Sequence, residues 1–513
     1  MGQRFTSILL NYPLIGIFCV GCCCINPPIS IEIAPVPGEF WSGIPKTVVL
    51  PGPLKPLDGE DAAPLAIEQL IDIGLKNNPL TQIAWQAAKA AAYQWKVSQS
   101  DLYPRVDFQE TLELIHRTFG SQSVGSSSST LAGTGTNTNT TNINTSSVQG
   151  SFNSNQILIT DLMASFLLFD AGGRNANIES FRQALIEANW LNNQTLQDVI
   201  LSIINAYYIL LSDQALYEAK LQDLKDAKTN LEAAEHLHAA GIKTKVDVLR
   251  AQSDYVNTEL QLAQINGNIQ TAKGDLATAI GIPANAEFKV AELPTNLKFN
   301  KIDIGLDELV EIATDNRPDL AAAHAEYLSK KADIITAVSA GLPTLSVDGD
   351  IQHYHYIHNS ILDGTVYTGQ LFLNVPIFQG FFHVNRARRA RALAAEALAQ
   401  VEEKKSTIFQ DVVRSYYSHT TAVETVRFSE EFLKYAQESY DAILSNYKEG
   451  VSTILDLLAV QGTLSNARST RITAKTQWAI SLATLAHATG TLGNGTKNCT
   501  KMRSIMQVME KRK

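Results

Sequence analysis

Apolar residues recur along this chain with two periods, and each period marks a different kind of element. From Leu65 to Gln99 the residues Ile67, Leu70, Ile71, Leu75, Leu80, Ile83, Ala84, Ala87 and Ala91 stand at helical spacing, with Asn78-Pro79 predicted to kink or restart the helix. Leu306 to Ala340 repeats this through Leu309, Ile312, Arg317-Pro318, Leu320 and Ala323. Alternation by two then takes over. Val106, Phe108, Leu112 and Leu114 share one strand face, against Arg105, Asp107, Gln109, Thr111 and Glu113 on the other. Leu345, Val347 and Ile351 oppose Thr344, Ser346, Asp348, Asp350 and Gln352 in the same way. Return strands are expected over Ile157–Phe169 and Tyr367–Phe378; in the second, Tyr367, Leu371, Leu373, Val375 and Ile377 alternate with Thr368, Gln370 and Asn374. One face is greasy and the other wet.

Helical spacing returns over Arg174–Ala240 and His383–Tyr447, each roughly 100 Å at 1.5 Å per residue, and a helix of about half that length follows each. In the second, Ala387, Ala390, Ala394, Ala397, Val401 and Ile408 form one seam at coiled-coil spacing, and Val412, Tyr416, Val423, Val426, Leu433, Tyr440, Leu444 and Tyr447 continue on a shifted line. The turns between long and short helix match each other. Gly241, Thr244, Asp247, Gln252 and Gly281 pair with Gly450, Thr453, Asp456, Gln461 and Gly490 at one constant offset. Pro79, Ala84 and Pro104 pair with Pro318, Ala323 and Pro343 at a longer one. The difference is an insertion in the first copy, visible as the Ser/Thr/Asn/Gly tract from Gly120 to Asn155, which reads as a flexible extracellular loop. Each copy thus runs helix, strand, loop, strand, long helix, tip, helix. In each tip the glycine can end one helix in the left-handed conformation, while Thr453 or Asp456, and their counterparts, stand near the start of the next.

The pattern predicts these segments: 1–24 export signal with a lipid-attachment cysteine, 25–64 Pro-rich arm, 65–281 first repeat, 282–304 linker, 305–490 second repeat, 491–513 basic tail. The signal consists of Arg4 and an apolar run to Phe18. Behind it, Cys19-Val-Gly-Cys22-Cys23-Cys24 resembles a bacterial lipobox in which Cys22 is acylated; Cys19 stands where such boxes usually have Leu, and Cys23 or Cys24 can serve instead. Beyond that cluster only Cys499 remains, which excludes a disulfide framework or zinc spacing.

Across the 513 residues the net charge of -9 argues against nucleic acid as a partner, and the aromatic content of 8% suits close-packed helical layers. No stretch of the mature chain supplies the roughly 20 consecutive apolar residues of a spanning helix, so entry into a membrane is expected through strands. Four strands are too few to enclose a wet lumen, and an open sheet in lipid leaves its edge amides unpaired. Three chains pooling strands give twelve. The rival from strand pattern alone is a soluble periplasmic coiled-coil scaffold or adaptor whose strands form a closed sandwich.

The doubled plan, the Tyr103-Pro104 and Leu342-Pro343 junctions, Leu168-Phe-Asp-Ala-Gly-Gly-Arg174, Ile377-Phe-Gln-Gly380 and both Gly-x-x-Thr-x-x-Asp tips together resemble the TolC-type outer-membrane efflux channels. The likeness covers about Leu65 to Gly490, and the acylated arm is similar to the lipoprotein branch. It implies a mixed α and β membrane protein: a homotrimer with a twelve-stranded outer-membrane β-barrel continued by a periplasmic α-helical coiled-coil barrel. It implies a passive exit duct of a tripartite efflux or type I secretion system of a Gram-negative bacterium, without cofactor. The implied partners are a periplasmic adaptor (membrane fusion) protein and an inner-membrane pump of RND, ABC or MFS class, besides outer-membrane lipid. It implies a periplasmic gate at Tyr447 and Asp456, with Asp247 linking to the neighbouring tip, and adaptor docking at the turns of Gly241, Thr244, Gly450 and Thr453. Ala459 stands where some members carry a further acid. Asp456 and Asp247 can equally serve only as helix caps.

Three further features complete the reading. No phosphate loop, nucleophile elbow or His-Glu-x-x-His is present, so no enzyme activity is expected. His353, His355 and His358 read as an aromatic mouth-loop cluster rather than a metal site. Arg386, Arg388, Arg389 and Arg391 open a helix where the dipole disfavours cations; inner-leaflet headgroups, a neighbour's acids and plain solvation are the open readings.

Overall fold

The computed structural model describes residues 64–117, 153–291, 304–357 and 363–493. The export signal, Cys22, nearly all of the Pro-rich arm, most of the 120–155 insertion, His358 and nearly all of the basic tail lie outside the described residues. The elements are α1 Ile67–Asn77, α2 Pro79–Gln99, β1 Arg105–Arg117, β2 Asn153–Phe169, α3 Gly173–Ala239, α4 Lys245–Ala279, α5 Leu306–Asn316, α6 Pro318–Ser339, β3 Thr344–Tyr356, β4 Gly364–Asn374, α7 Phe382–Lys448 and α8 Ile454–Ala488. Helices α3 and α7 each hold 67 residues, and α4 and α8 each hold 35.

Asn78 and Arg317 separate the short helices because a proline begins the next one, and Pro suits the first helical position. At the first break Asn78 Oδ1 accepts from the Leu80 amide at 2.8 Å, and the Thr81 hydroxyl donates to the Asn78 carbonyl at 2.8 Å. The chain divides into two units. The helical unit takes the described residues within Met1–Trp95, Glu179–Lys331 and Ala392–Lys513; the strand unit takes those within Lys96–Ile178 and Ala332–Arg391.

In the strand unit four antiparallel strands lie in chain order, β1-β2-β3-β4, so β1 and β4 are the edges. Register runs from Arg105 opposite Ser165 in β1/β2 to Thr344 opposite Asn374 in β3/β4, with an irregularity between Leu167 and Phe169. The alternation places Val106, Phe108, Leu112 and Leu114 on one exposed face of β1, and Tyr367, Leu371 and Leu373 on that of β4. β4 stops at Asn374, short of the expected Phe378. Pro376 has no N–H to extend the ladder, so Val375 and Ile377 fall beyond the strand.

Two matching cores organise the helical unit. Leu70 packs with Val199, Ile203 and Leu276; Leu309 packs with Ile408, Val412 and Leu485. α3 has the length and mean hydropathy of a membrane-crossing helix, but its apolar run around residues 199–211 is broken by Ser202 and Asn205 and falls short of the unbroken apolar stretch expected of a spanning helix. Its apolar side chains Val199, Ile203, Tyr207, Leu210 and Leu211 are spent on the first core.

His419 is buried between α7 and α8, where its Nδ1–H donates to Ser481 Oγ at 3.0 Å while that hydroxyl donates to the Trp478 carbonyl at 2.7 Å. Nε2 has no partner among the described residues, and burial pushes the imidazole pKa below its ordinary 6.5. A depressed histidine favours the fold fully above 6.5, and that contribution is lost as pH falls through the folded value. His419→Gln is therefore expected to lose less melting temperature than the wild type on acidification below pH 6.5, followed by helical circular dichroism. Parallel losses would show that His419 titrates alike in the folded and unfolded chain, so that its burial contributes no pH dependence.

Candidate functional site

Both tips are built by the same short-range chemistry. α3 ends as the Gly241 amide donates to the His238 carbonyl and the Ile242 amide to the Leu237 carbonyl, both at 2.9 Å; Gly241 has φ +75°. In α7 the Gly450 amide donates to Tyr447 and the Val451 amide to Asn446, again at 2.9 Å, with φ +78° at Gly450. Such a reversal needs a left-handed residue, and glycine reaches it without a Cβ penalty.

The next helices start on reciprocal caps. The Thr244 amide and hydroxyl donate to Asp247 Oδ2 at 3.0 and 2.9 Å, and the Asp247 amide returns to Thr244 Oγ. Thr453 and Asp456 repeat this at 3.1 and 2.6 Å. Each pair satisfies donors that a helix start otherwise leaves open. The Thr453 hydroxyl and amide hold the exposed Asp456 carboxyl below the usual carboxylate range. Capping is thus observed for both acids; Asp456 also presents a charge to solvent.

Tyr447 is fully buried against Val248, Ile454 and Leu457, and its hydroxyl has no partner among the described residues. Burial first, and the charge of Asp247 second, push its phenol pKa up. Lys243, which sequence reasoning did not single out, lies with Nζ 5.4 Å from the Tyr447 ring centre and donates to the Ser452 carbonyl at 2.9 Å. One cluster therefore gathers Lys243, Asp247 and Tyr447 and ties one tip to the other. Among the described residues Asp456 bonds only its own cap residue, Thr453. Around the turns Ile242, Val246, Leu249, Val451 and Leu455 expose apolar side chains, and Val451 is 76% exposed. The apolar residue after each tip glycine was the available sequence signal.

Further along these helices a second polar group joins the two pairs. Arg468 of α8 donates at 2.7 Å to both Asp223 and Asp226 of α3, and to Gln437 of α7 at 3.2 Å. Lys220 pairs with Asp223 at 3.1 Å, and Gln461 donates to Asp254 of α4 at 2.8 Å while accepting from Asn230. No sequence signal marks these residues, because the pairing exists only once four helices are side by side.

Among the described residues no group of three or more His, Cys, Asp or Glu could hold a metal ion. His353 and His355 engage Thr365 and Asp363 through Nδ1, at 2.9 and 2.8 Å. An open groove of about 330 Å³ on α7 and α8, lined by Tyr417, Thr421, Ala474 and Gln477, carries no nucleophile with a base.

The model of the outer membrane efflux protein family matches residues 70–282 and 309–491. Protein CyaE of Bordetella pertussis is 25% identical over 440 residues, covering 84% of this chain and 85% of that protein. The pyoverdine export outer membrane protein OpmQ of Pseudomonas aeruginosa is 29% identical over 317 residues, 61% of this chain and 65% of that protein. Among solved structures, the Campylobacter jejuni CmeC outer membrane channel superposes with a TM-score of 0.70 at 14% identity, covering 90% of this chain and 97% of that one. At that identity the likeness is one of fold.

Proposed function

The chain belongs to the outer membrane efflux protein family, and from that premise we propose that it works as a homotrimeric exit duct whose periplasmic mouth is set by the two helix tips. The family is one of efflux proteins of the outer membrane, and relatives named for export, such as OpmQ, give the direction of traffic. Both family matches fall on one half of the chain each, which supports descent from a duplicated unit. β1 and β4 are edges. In lipid an unpaired edge amide costs several kcal/mol, so the sheet is completed by two further copies into a twelve-stranded barrel, greasy face outward.

The observation that carries the reading is the pair of tips. Each presents a rigid, capped turn with exposed apolar side chains beside it, and Lys243 fastens one turn to the other. Ile242, Val451 and Leu455, with the turns at Gly241, Thr244, Gly450 and Thr453, form the dock for a periplasmic adaptor, through which an inner-membrane pump supplies the energy. Tyr447 and Asp247 hold the closed tip from inside. Three copies of Asp456 ring the constriction and favour cations, as charged rings do in pores. Acylation at Cys22 fixes the arm to the membrane.

Asp456→Asn tests the ring. Asparagine Oδ1 can still accept from the Thr453 amide, so the cap survives while the charge goes. In planar bilayers the cation-to-anion permeability ratio is expected to fall roughly twofold. Because its carboxyl sits below the usual range, the wild-type ratio should hold steady as pH falls from neutral toward the ordinary carboxylate range. An unchanged ratio in the variant removes Asp456 from the pathway.

A further inference from the structure

We infer that Arg386 and Arg389, with Phe382, form a binding site for the headgroups of anionic phospholipids in the leaflet facing the periplasm. The inference rests on the proposed placement of the strand unit in the outer membrane. Arg386, Arg388, Arg389 and Arg391 stand within the first ten residues of α7, and all four are exposed. None has an acid within ion-pair distance among the described residues, and the first acid of the helix is Glu396.

Such a cluster is unfavourable when left alone. The positive end of the helix dipole repels it, and like charges three residues apart repel each other. A helix start of this kind does not require it either. The corresponding positions of α3 are Asn177, Glu179, Ser180 and Arg182, where Arg182 is neutralised by Glu179 at 2.8 Å. An anion from outside the chain is the missing partner.

The neighbouring residues say which anion. Between the end of β4 and the arginines the chain exposes Ile377, Phe378, Phe381 and Phe382, with Ile377 94% exposed. Residues 382, 386 and 389 follow i, i+4, i+7 spacing and share one stripe of α7. At 1.5 Å per residue the arginines lie about 6 and 10 Å along the helix from Phe382. With Phe382 at the edge of the hydrocarbon, the Arg386 backbone lies within the polar layer, about 5 to 8 Å thick on each side, and Arg389, just beyond it, reaches it with a long side chain that leans toward the helix N-terminus. Arginine's planar fork matches a phosphate bidentately, and an aromatic at the interface is the usual companion. Arg388 and Arg391 form a second stripe with Val384 on another side of the helix.

The full chain, reconstituted in vesicles of mixed phosphatidylglycerol and phosphatidylethanolamine and then extracted gently, tests this by native mass spectrometry. The wild type should retain phosphatidylglycerol preferentially, and R386Q/R389Q should lose roughly an order of magnitude of that preference. Equal retention by the two proteins overturns the inference. So does an equal loss from R388Q/R391Q, which would make bulk charge sufficient, or dissociation of the variant's subunits with lipid preference intact, which would assign the arginines to a neighbour's acids. Wild-type conductance in the same lipid is the separate readout of the duct itself. If it conducts without lipid preference, only this inference fails; if it neither inserts nor conducts, the duct reading fails.

Discussion

Gly490→Ala is expected to lower stability by about 3 kcal/mol, although the substitution adds a single methyl group. Gly490 follows α8 at φ +69°, and a Cβ built there would lie 2.7 to 2.8 Å from the backbone C and O of Asn316 and N of Arg317. Backbone at a helix break has no rotamer by which to retreat. Gly281 repeats the situation at φ +75°, with Asn77 and Asn78 backbone atoms at 2.6 to 2.7 Å. Both junctions are also laced by side chains: Asn78 Nδ2 donates to the Ala279 carbonyl at 2.8 Å, and Arg317 Nη1 to the Ala488 carbonyl at 3.4 Å. The tip glycines supply the internal control. Gly241 has nothing within 4 Å of a notional Cβ, and Gly450 only Ile242 Cγ2 at 3.6 Å. Alanine there should cost about 1 kcal/mol, the penalty of the left-handed conformation alone. Thermal unfolding of the four variants should therefore rank 281 and 490 well below 241 and 450; four equal losses would mean that close approach of the backbone contributes nothing.

This pair of junctions also shows how far the sequence can be read. The matched spacing announced that Gly281 and Gly490 were equivalent, and that Pro79 and Pro318 were, but not that each glycine touches the break before its proline. Periodicity reports which face of an element is buried, not against what. The tip caps were visible because Thr and Asp three residues apart act within one turn. Tyr447 was legible as a tip residue, yet its burial under Lys243 was not, since the lysine arrives from the other copy. β4 ends before the expected Phe378 because Val375 and Ile377 keep the alternation while Pro376 interrupts the hydrogen bonding.

Replacing Arg468 by methionine should cost about 3 kcal/mol and loosen the tips. The guanidinium is 14% exposed and sits between Asp223 and Asp226, which are 4% and 15% exposed. Removing one partner of a buried ion pair leaves the other in a low-dielectric site, typically at about 3 to 5 kcal/mol. Lys220 and Ser465 still engage Asp223, at 3.1 and 2.6 Å, which sets the value at the low end. Arg468→Lys should recover only part of the loss, since an ammonium cannot hold two carboxylates and Gln437 in one plane. Asp226→Asn added to Arg468→Met should cost less than the two separate losses together, because the neutral amide no longer needs a cation. Strict additivity would mean that the three groups do not act as a unit. The functional consequence follows from connectivity. Arg468 on α8 grips α3 and α7 about 20 Å along the helix from Thr453, so the tips can part freely only beyond that grip. A duct lacking it should show more frequent spontaneous openings in bilayers at unchanged Asp456-dependent selectivity. A variant that is destabilised yet opens no more often would confine Arg468 to holding the fold.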